Sequence, residues 1–271
     1  MKGGARYMSN ALLLGRFIPG TSIIHRLDPR VKLLTTLYLI LIIFLADNWQ
    51  TNLLLYSFVL IGVLCARLSL RFFFRGLRPM FWLIIFTVAM QLLFTHGGTV
   101  YWQWGWLIIS QTGLQNGLYV FLRFVFIVFV STLLTLTTAP LALADAVASL
   151  LRPLRWFHFP VDEVALMLAL ALRFVPNLMD ETSQLMAAQR SRGVEFGEGN
   201  VFQQMQALIP LLIPQLVTSF RRADELGTAM EARGYSGTAN RTKFRIQQFH
   251  GRDGAFVLIL LILTGLLILM R

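Results

Sequence analysis

The feature that most constrains this chain is the separation of its cations from five long apolar runs. These lie at about Val31 to Ala46, Thr51 to Ala66, Met80 to Phe94, Gly113 to Thr138 and Gly254 to Met270. Each is apolar enough to cross a bilayer as a helix. Three are roughly sixteen residues long, at the low end for spanning, so helical flanks or local thinning must supply the remainder. Of the 24 Lys and Arg, six fall before or at the start of the first run, four between Arg67 and Arg78, and twelve between Arg152 and Arg252. Only Arg123 lies deep within a run, and only Arg271 follows the last. Cationic loops are retained on the cytoplasmic side. The pattern therefore predicts five spans, with the N-terminus in the cytoplasm and the C-terminus outside.

Composition excludes several other classes. With 56% hydrophobic and 14% charged residues, the chain is too apolar for an ordinary soluble domain. The net charge of +11 is explained by the juxtamembrane cations, of which Arg67, Arg71, Arg75 and Arg78 suit anionic headgroups, so nucleic acid is not required. The lone Cys65 excludes an intrachain disulfide or a cysteine cluster, and His25, His96, His158 and His250 lack the spacing of paired ligands on a helix, so no metal site is expected. Gly15 to Ser22 has the glycine spacing of a phosphate-binding loop but carries Thr21 in place of the lysine, so it reads as coincidence and no bound cofactor is expected. The first twenty residues lack a continuous apolar stretch, so no cleavable leader is expected. Trp102, Trp104 and Trp106 alternate in a segment too short to span, which suits an interfacial aromatic belt. Gly113 and Gly117 permit close helix packing at a span entrance.

Between the fourth and fifth runs lie about 115 residues, Ala139 to Asp253, holding half of the cations. Their organisation is three regions: residues 1–138 with four spans, 139–253 cytoplasmic, and 254–271 with the final span. Within the cytoplasmic part, periodicity predicts helices from Pro140 to about Leu154, Val161 to Arg190 and Val201 to Ala232. The second carries a stripe through Val164, Leu168, Val175, Met179 and Met186, with Pro176 as a kink. The last two helices finish alike, on Ser191-Arg192-Gly193 and Ala232-Arg233-Gly234. Glycine in the left-handed position and a terminal arginine are ordinary ways to close a helix. The same ending on two helices whose apolar stripes need covering also suits a paired docking device, and both readings stand at this point.

The expected fold class is all-α: a polytopic membrane protein of about five transmembrane helices plus two or three long amphipathic cytoplasmic helices. No acid pair or nucleophile-base pair lies in the spans, so an enzyme is not expected. A second function class remains, a self-contained carrier or channel built on the intramembrane Arg123, which otherwise pairs structurally with a carbonyl or amide.

Pro19-Gly20-Thr21-Ser22-Ile23-Ile24-His25-Arg26-Leu27-Asp28-Pro29-Arg30-Val31-Lys32, Ala171-Leu172-Arg173-Phe174-Val175-Pro176 and the two Arg-Gly triplets resemble the transmembrane T subunit of energy-coupling factor (ECF) vitamin and metal transporters. The resemblance covers nearly the whole chain. It implies a non-catalytic subunit of the prokaryotic cell membrane that links two ABC-type ATPases to a membrane-embedded, substrate-binding S component, with ATP bound and hydrolysed on the partners. It also implies that two cytoplasmic helices cross and that Ser191, Arg192, Gly193, Ala232, Arg233 and Gly234 dock into the two ATPases. Ser191 departs from the commoner alanine of the first motif.

Overall fold

A computed structural model describes residues 17–46, 48–95, 97, 99–104, 107–194, 196–197, 200–237 and 249–270. Trp106, His96, and Gly15 and Arg16 of the Gly15 to Ser22 stretch lie outside the described residues. The chain divides into two compact units, residues 1–150 with 247–271, and residues 151–246.

In the first unit, α1 (Pro29–Ile42) begins where the Asp28 side chain accepts from Arg30 N at 2.8 Å and proline occupies the first turn. It tightens into a 3₁₀ turn, Ile43–Leu45, and ends at an extended Ala46. Then follow α2 (Trp49–Ala66), α3 (Leu70–Leu77), a 3₁₀ turn and α4 (Phe81–Phe94). Next come strands β1 (Val100–Trp104) and β2 (Leu107–Ser110), then α5 (Gln111–Thr137), α6 (Pro140–Leu150) and α9 (Gly251–Leu269) at the end of the chain. Among the described residues, four stretches are long and apolar enough to cross a membrane: Trp49–Ala66, Leu70–Phe94, Gln111–Thr137 and Gly251–Leu269. The protein is a helical, polytopic membrane protein.

The structure refines three expectations. The first apolar run yields only 14 α-helical residues before the 3₁₀ turn. At about 1.5 Å and then 2.0 Å per residue it advances roughly 27 Å, slightly less than a hydrocarbon core. Trp102 and Trp104 of the alternating tryptophan segment lie in β1, one strand of an antiparallel hairpin, the period-two pattern being that of a strand. In the same unit, α6 ends at Leu150 rather than near Leu154, because Pro153 opens the following turn, Arg152–Phe157, as 3₁₀.

The core of this unit joins α1, α2, α3, α5 and α9 through Leu39, Ile43, Leu55, Val63, Phe73 and Phe126, with Leu260 at its edge. Gly113 and Gly117 let α5 approach α4: a Cβ at Gly113 would stand 2.9 Å from the Thr95 carbonyl, and one at Gly117 3.5 Å from Val88. Outside this core the helices present large apolar side chains, among them Leu64, Trp82, Phe86, Leu258 and Ile268. That surface suits lipid rather than water. Arg123 lies with its guanidinium 4.9 Å from the Phe44 ring centre. A cation–π contact replaces the carbonyl or amide expected from sequence.

The buried charged residues among those described, Asp28, Lys32 and Asp253, sit at one end of the bundle. Lys32, 7% exposed, donates to the carbonyls of His25 (3.1 Å) and Thr137 (3.0 Å). Asp253, 1% exposed, accepts from the backbone N–H of Asp28 and of His250, both at 2.9 Å. Ile18 N–H reaches Leu136 O at 3.0 Å. The segment before α1 is thus fastened to the end of α5 and the start of α9.

Candidate docking site on two long helices

The second unit is built on α7 (Val161–Ser191) and α8 (Val201–Ala232). Asp162 and Glu163 lie in the first turn of α7, where the helix dipole favours acids, and Asp162 also pairs with Arg155. Proline shapes the helix pair. Pro214 has no N–H to give the carbonyl of Pro210, and Gln189 Nε2 donates to that oxygen instead, at 3.3 Å. Farther along, Arg222 pairs with Glu181 and lies 5.9 Å over the Phe174 ring.

These contacts match late α7 residues with early α8 residues and the reverse, so the helices are antiparallel. Leu166, near the start of α7, shares a hollow of about 330 Å³ with Arg233, Gly234 and Tyr235 at the end of α8. Ser191, at the other end of α7, lies 25 residues beyond Leu166. At 1.5 Å per residue that is roughly 38 Å of helix. The two arginine triplets therefore occupy opposite ends of the pair.

Each end closes with the same hydrogen-bond pattern. Gly193 N–H donates to Arg190 O at 3.0 Å and Val194 N–H to Gln189 O at 3.1 Å. Gly234 N–H donates to Glu231 O and Tyr235 N–H to Met230 O, both at 2.9 Å. This is the Schellman closure, which needs a left-handed residue after the cap, and the glycines have φ of +87° and +77°. The helix-cap reading thus accounts for Gly193 and Gly234 completely. It gives Arg192 and Arg233 only a favourable place at the negative end of the helix dipole, which any cation would fill. Both arginines are exposed, as are Ser191 and Ala232, and a Cβ built on either glycine would meet nothing within 4 Å. The Ser191 hydroxyl donates back to Ala187 O at 3.1 Å. Its departure from alanine is absorbed within its own helix.

The pair also leaves most of its apolar surface open. Only Val161 and Leu211 are buried hydrophobics in this unit among the described residues. Met167, Met179, Phe202, Met205, Val217 and Phe220 are between 47% and 69% exposed. Exposed apolar side chains in this number mark a contact with protein or membrane. The braces at Gln189 and Glu181 carried no sequence signal, because partners so far apart on two helices follow no local period.

The family model described as cobalt transport protein, CbiQ, matches residues 20–244. The chain is 59% identical to the energy-coupling factor transporter transmembrane protein EcfT of Lacticaseibacillus paracasei, across 96% of this chain and 98% of that one. It is 51% identical to EcfT 1 of Listeria monocytogenes serotype 1/2a, across 97% and 99%. With EcfT of Bacillus subtilis it shares 43% identity, across 97% of this chain and all of the relative. The chain belongs to the energy-coupling factor transporter transmembrane protein family. A member of this family is a transport subunit, and the match spans both compact units.

Proposed function

We propose that this chain is the mechanical link of an ECF importer, joining two ATP-hydrolysing ABC subunits to a membrane-embedded S component that binds the substrate. The observation that carries this reading is the identical closure of α7 and α8 at opposite ends of one helix pair, each bearing an exposed arginine that the closure does not require. A guanidinium at a helix end offers a planar fork of donors to carboxylates or carbonyls in a groove, and the following glycine leaves room for close approach. Two such ends, tens of ångströms apart, suit two partner subunits. Ser191, Arg192 and Gly193 meet one ATPase, and Ala232, Arg233 and Gly234 the other. The chain itself binds no cofactor, and ATP stays on the partners.

The exposed apolar faces of α7 and α8 supply the second contact, covered by the S component and the membrane interface. The basic segments face the cytoplasm, the N-terminus is inside and the C-terminus outside, with Pro29–Leu45 as the short first span. Arg123, stacked on Phe44, acts as a packing residue rather than a transport site. Photo-crosslinking residues placed at Ser191 and Ala232 test the docking geometry. Each position is expected to capture an ATP-binding subunit in intact membranes, and capture of neither would contradict it.

A further inference from the structure

The first unit contains an apolar slot of about 340 Å³ between α1, α2, α5 and α9, within the size range of small-ligand sites. Its walls include Leu39, Phe58, Gly62, Leu133 and Phe256, and other lining residues, Ile23, Ile61 and Ile259, are 69%, 59% and 47% exposed. The slot thus opens onto the surface that faces lipid. An apolar recess of this kind does not hold water, and acyl chains are the solvent around it. Gly62 keeps it open: a Cβ there would meet only Leu133 at 3.6 Å and Ile24 at 3.9 Å. The one charged lining residue, Lys32, is already engaged by two backbone carbonyls.

The position of the slot along the bundle identifies the ligand class. It lies near the N-terminal ends of α1 and α9 and the C-terminal ends of α2 and α5, the end at which the basic residues gather. Two exposed arginines flank the lining. Arg26 stands between Ile24 and Leu27, and Arg67 stands two residues beyond Cys65. We propose that this slot is a binding site for an anionic phospholipid, with one acyl chain between α1, α2 and α9 and the phosphate against Arg26 and Arg67. Guanidinium groups recognise phosphate through paired donors, and cations at the membrane surface favour acidic over zwitterionic lipid. This proposal does not depend on which proteins dock on the second unit.

Cys65 lines the slot and is the only cysteine in the chain, so it reports occupancy. The full-length protein, with the subunits that co-purify with it, is placed in nanodiscs of phosphatidylcholine with or without phosphatidylglycerol, and alkylation of Cys65 by N-ethylmaleimide is timed. Phosphatidylglycerol is expected to slow the reaction, with Arg26→Gln and Arg67→Gln each removing about fivefold of that protection. Gly62→Leu, which fills the slot from α2, is expected to remove retained phosphatidylglycerol in native mass spectrometry. Unchanged thermal unfolding in detergent without phosphatidylglycerol controls for folding. Equal protection by the two lipids, phosphatidylglycerol selectivity that survives both arginine changes, or full retention in Gly62→Leu would overturn the proposal.

Discussion

His25 shows how a single side chain organises the segment before α1. Its Nδ1 meets Ser22 Oγ at 2.7 Å and its Nε2 meets Ile18 O at 3.1 Å, while its own carbonyl accepts from Lys32. Gly20 is required alongside, since a Cβ there would come within 2.6 Å of the imidazole. The Pro19 to Lys32 motif is thus a structural clasp. Burial, aided by the nearby Lys32 cation, lowers the pKa of His25 from its usual 6.5, against the opposing pull of the Ile18 carbonyl. The unfolded chain therefore takes up the proton first as pH falls, and the clasp loses stability below about 6.5 while keeping it in full above. The thermal unfolding midpoint is expected to drop between pH 6.5 and 5 in the unaltered protein, and to drop less in His25→Gln. Parallel curves would mean that the imidazole does not titrate in the clasp.

Helices α7 and α8 were largely legible, because caps, proline and a 3.6-residue stripe are local signals. Val161–Ser191 and Val201–Ala232 fall within a residue of their expected ends, and Gly193 and Gly234 occupy the left-handed positions anticipated for them. Their mutual register was not legible. It rests on Gln189 reaching the carbonyl that Pro214 leaves open and on Glu181 meeting Arg222, both long-range events without a period. The exposed stripe leads to a prediction at this scale. Leu168→Asp or Met179→Asp places a charge on the open face of α7, well before its arginine end. Either change is expected to reduce co-purification of the S component more than that of the ATPases. Equal loss of both would show only that the helix had unfolded.

At the scale of the whole molecule, apolar length and cation placement made the membrane class readable, while the fastening of distant segments stayed hidden. Asp28 and Asp253 are 225 residues apart and meet only through a backbone N–H, which no composition or spacing announces. The shortness of α1 has a local cause: Asp28 and Pro29 start it two residues ahead of Val31, but the 3₁₀ turn at Ile43 ends it before the apolar run does. Topology is tested with a background in which Cys65 is replaced by serine and single cysteines are placed at the exposed Thr99 and Ser236. A reagent that cannot cross the membrane is expected to label Thr99→Cys from outside and Ser236→Cys only after the membrane is opened. The reverse pattern would invert the orientation.

Arg192 and Arg233 are the proposed attachment points for ATP-driven motion. Removing one partner of a desolvated, hydrogen-bonded charge pair costs about 2 to 5 kcal/mol, so a single Arg→Ala change should weaken attachment and two should abolish it. Lysine should substitute poorly, because it lacks the planar fork. The most direct measurement is ATPase co-purification and substrate uptake for Arg192→Ala, Arg233→Ala and the double variant, with membrane insertion confirmed in each. The double variant is expected to insert normally, lose its ATPases and transport nothing. If it retains the ATPases and transports at the normal rate, the triplets are helix caps alone and the docking account is wrong.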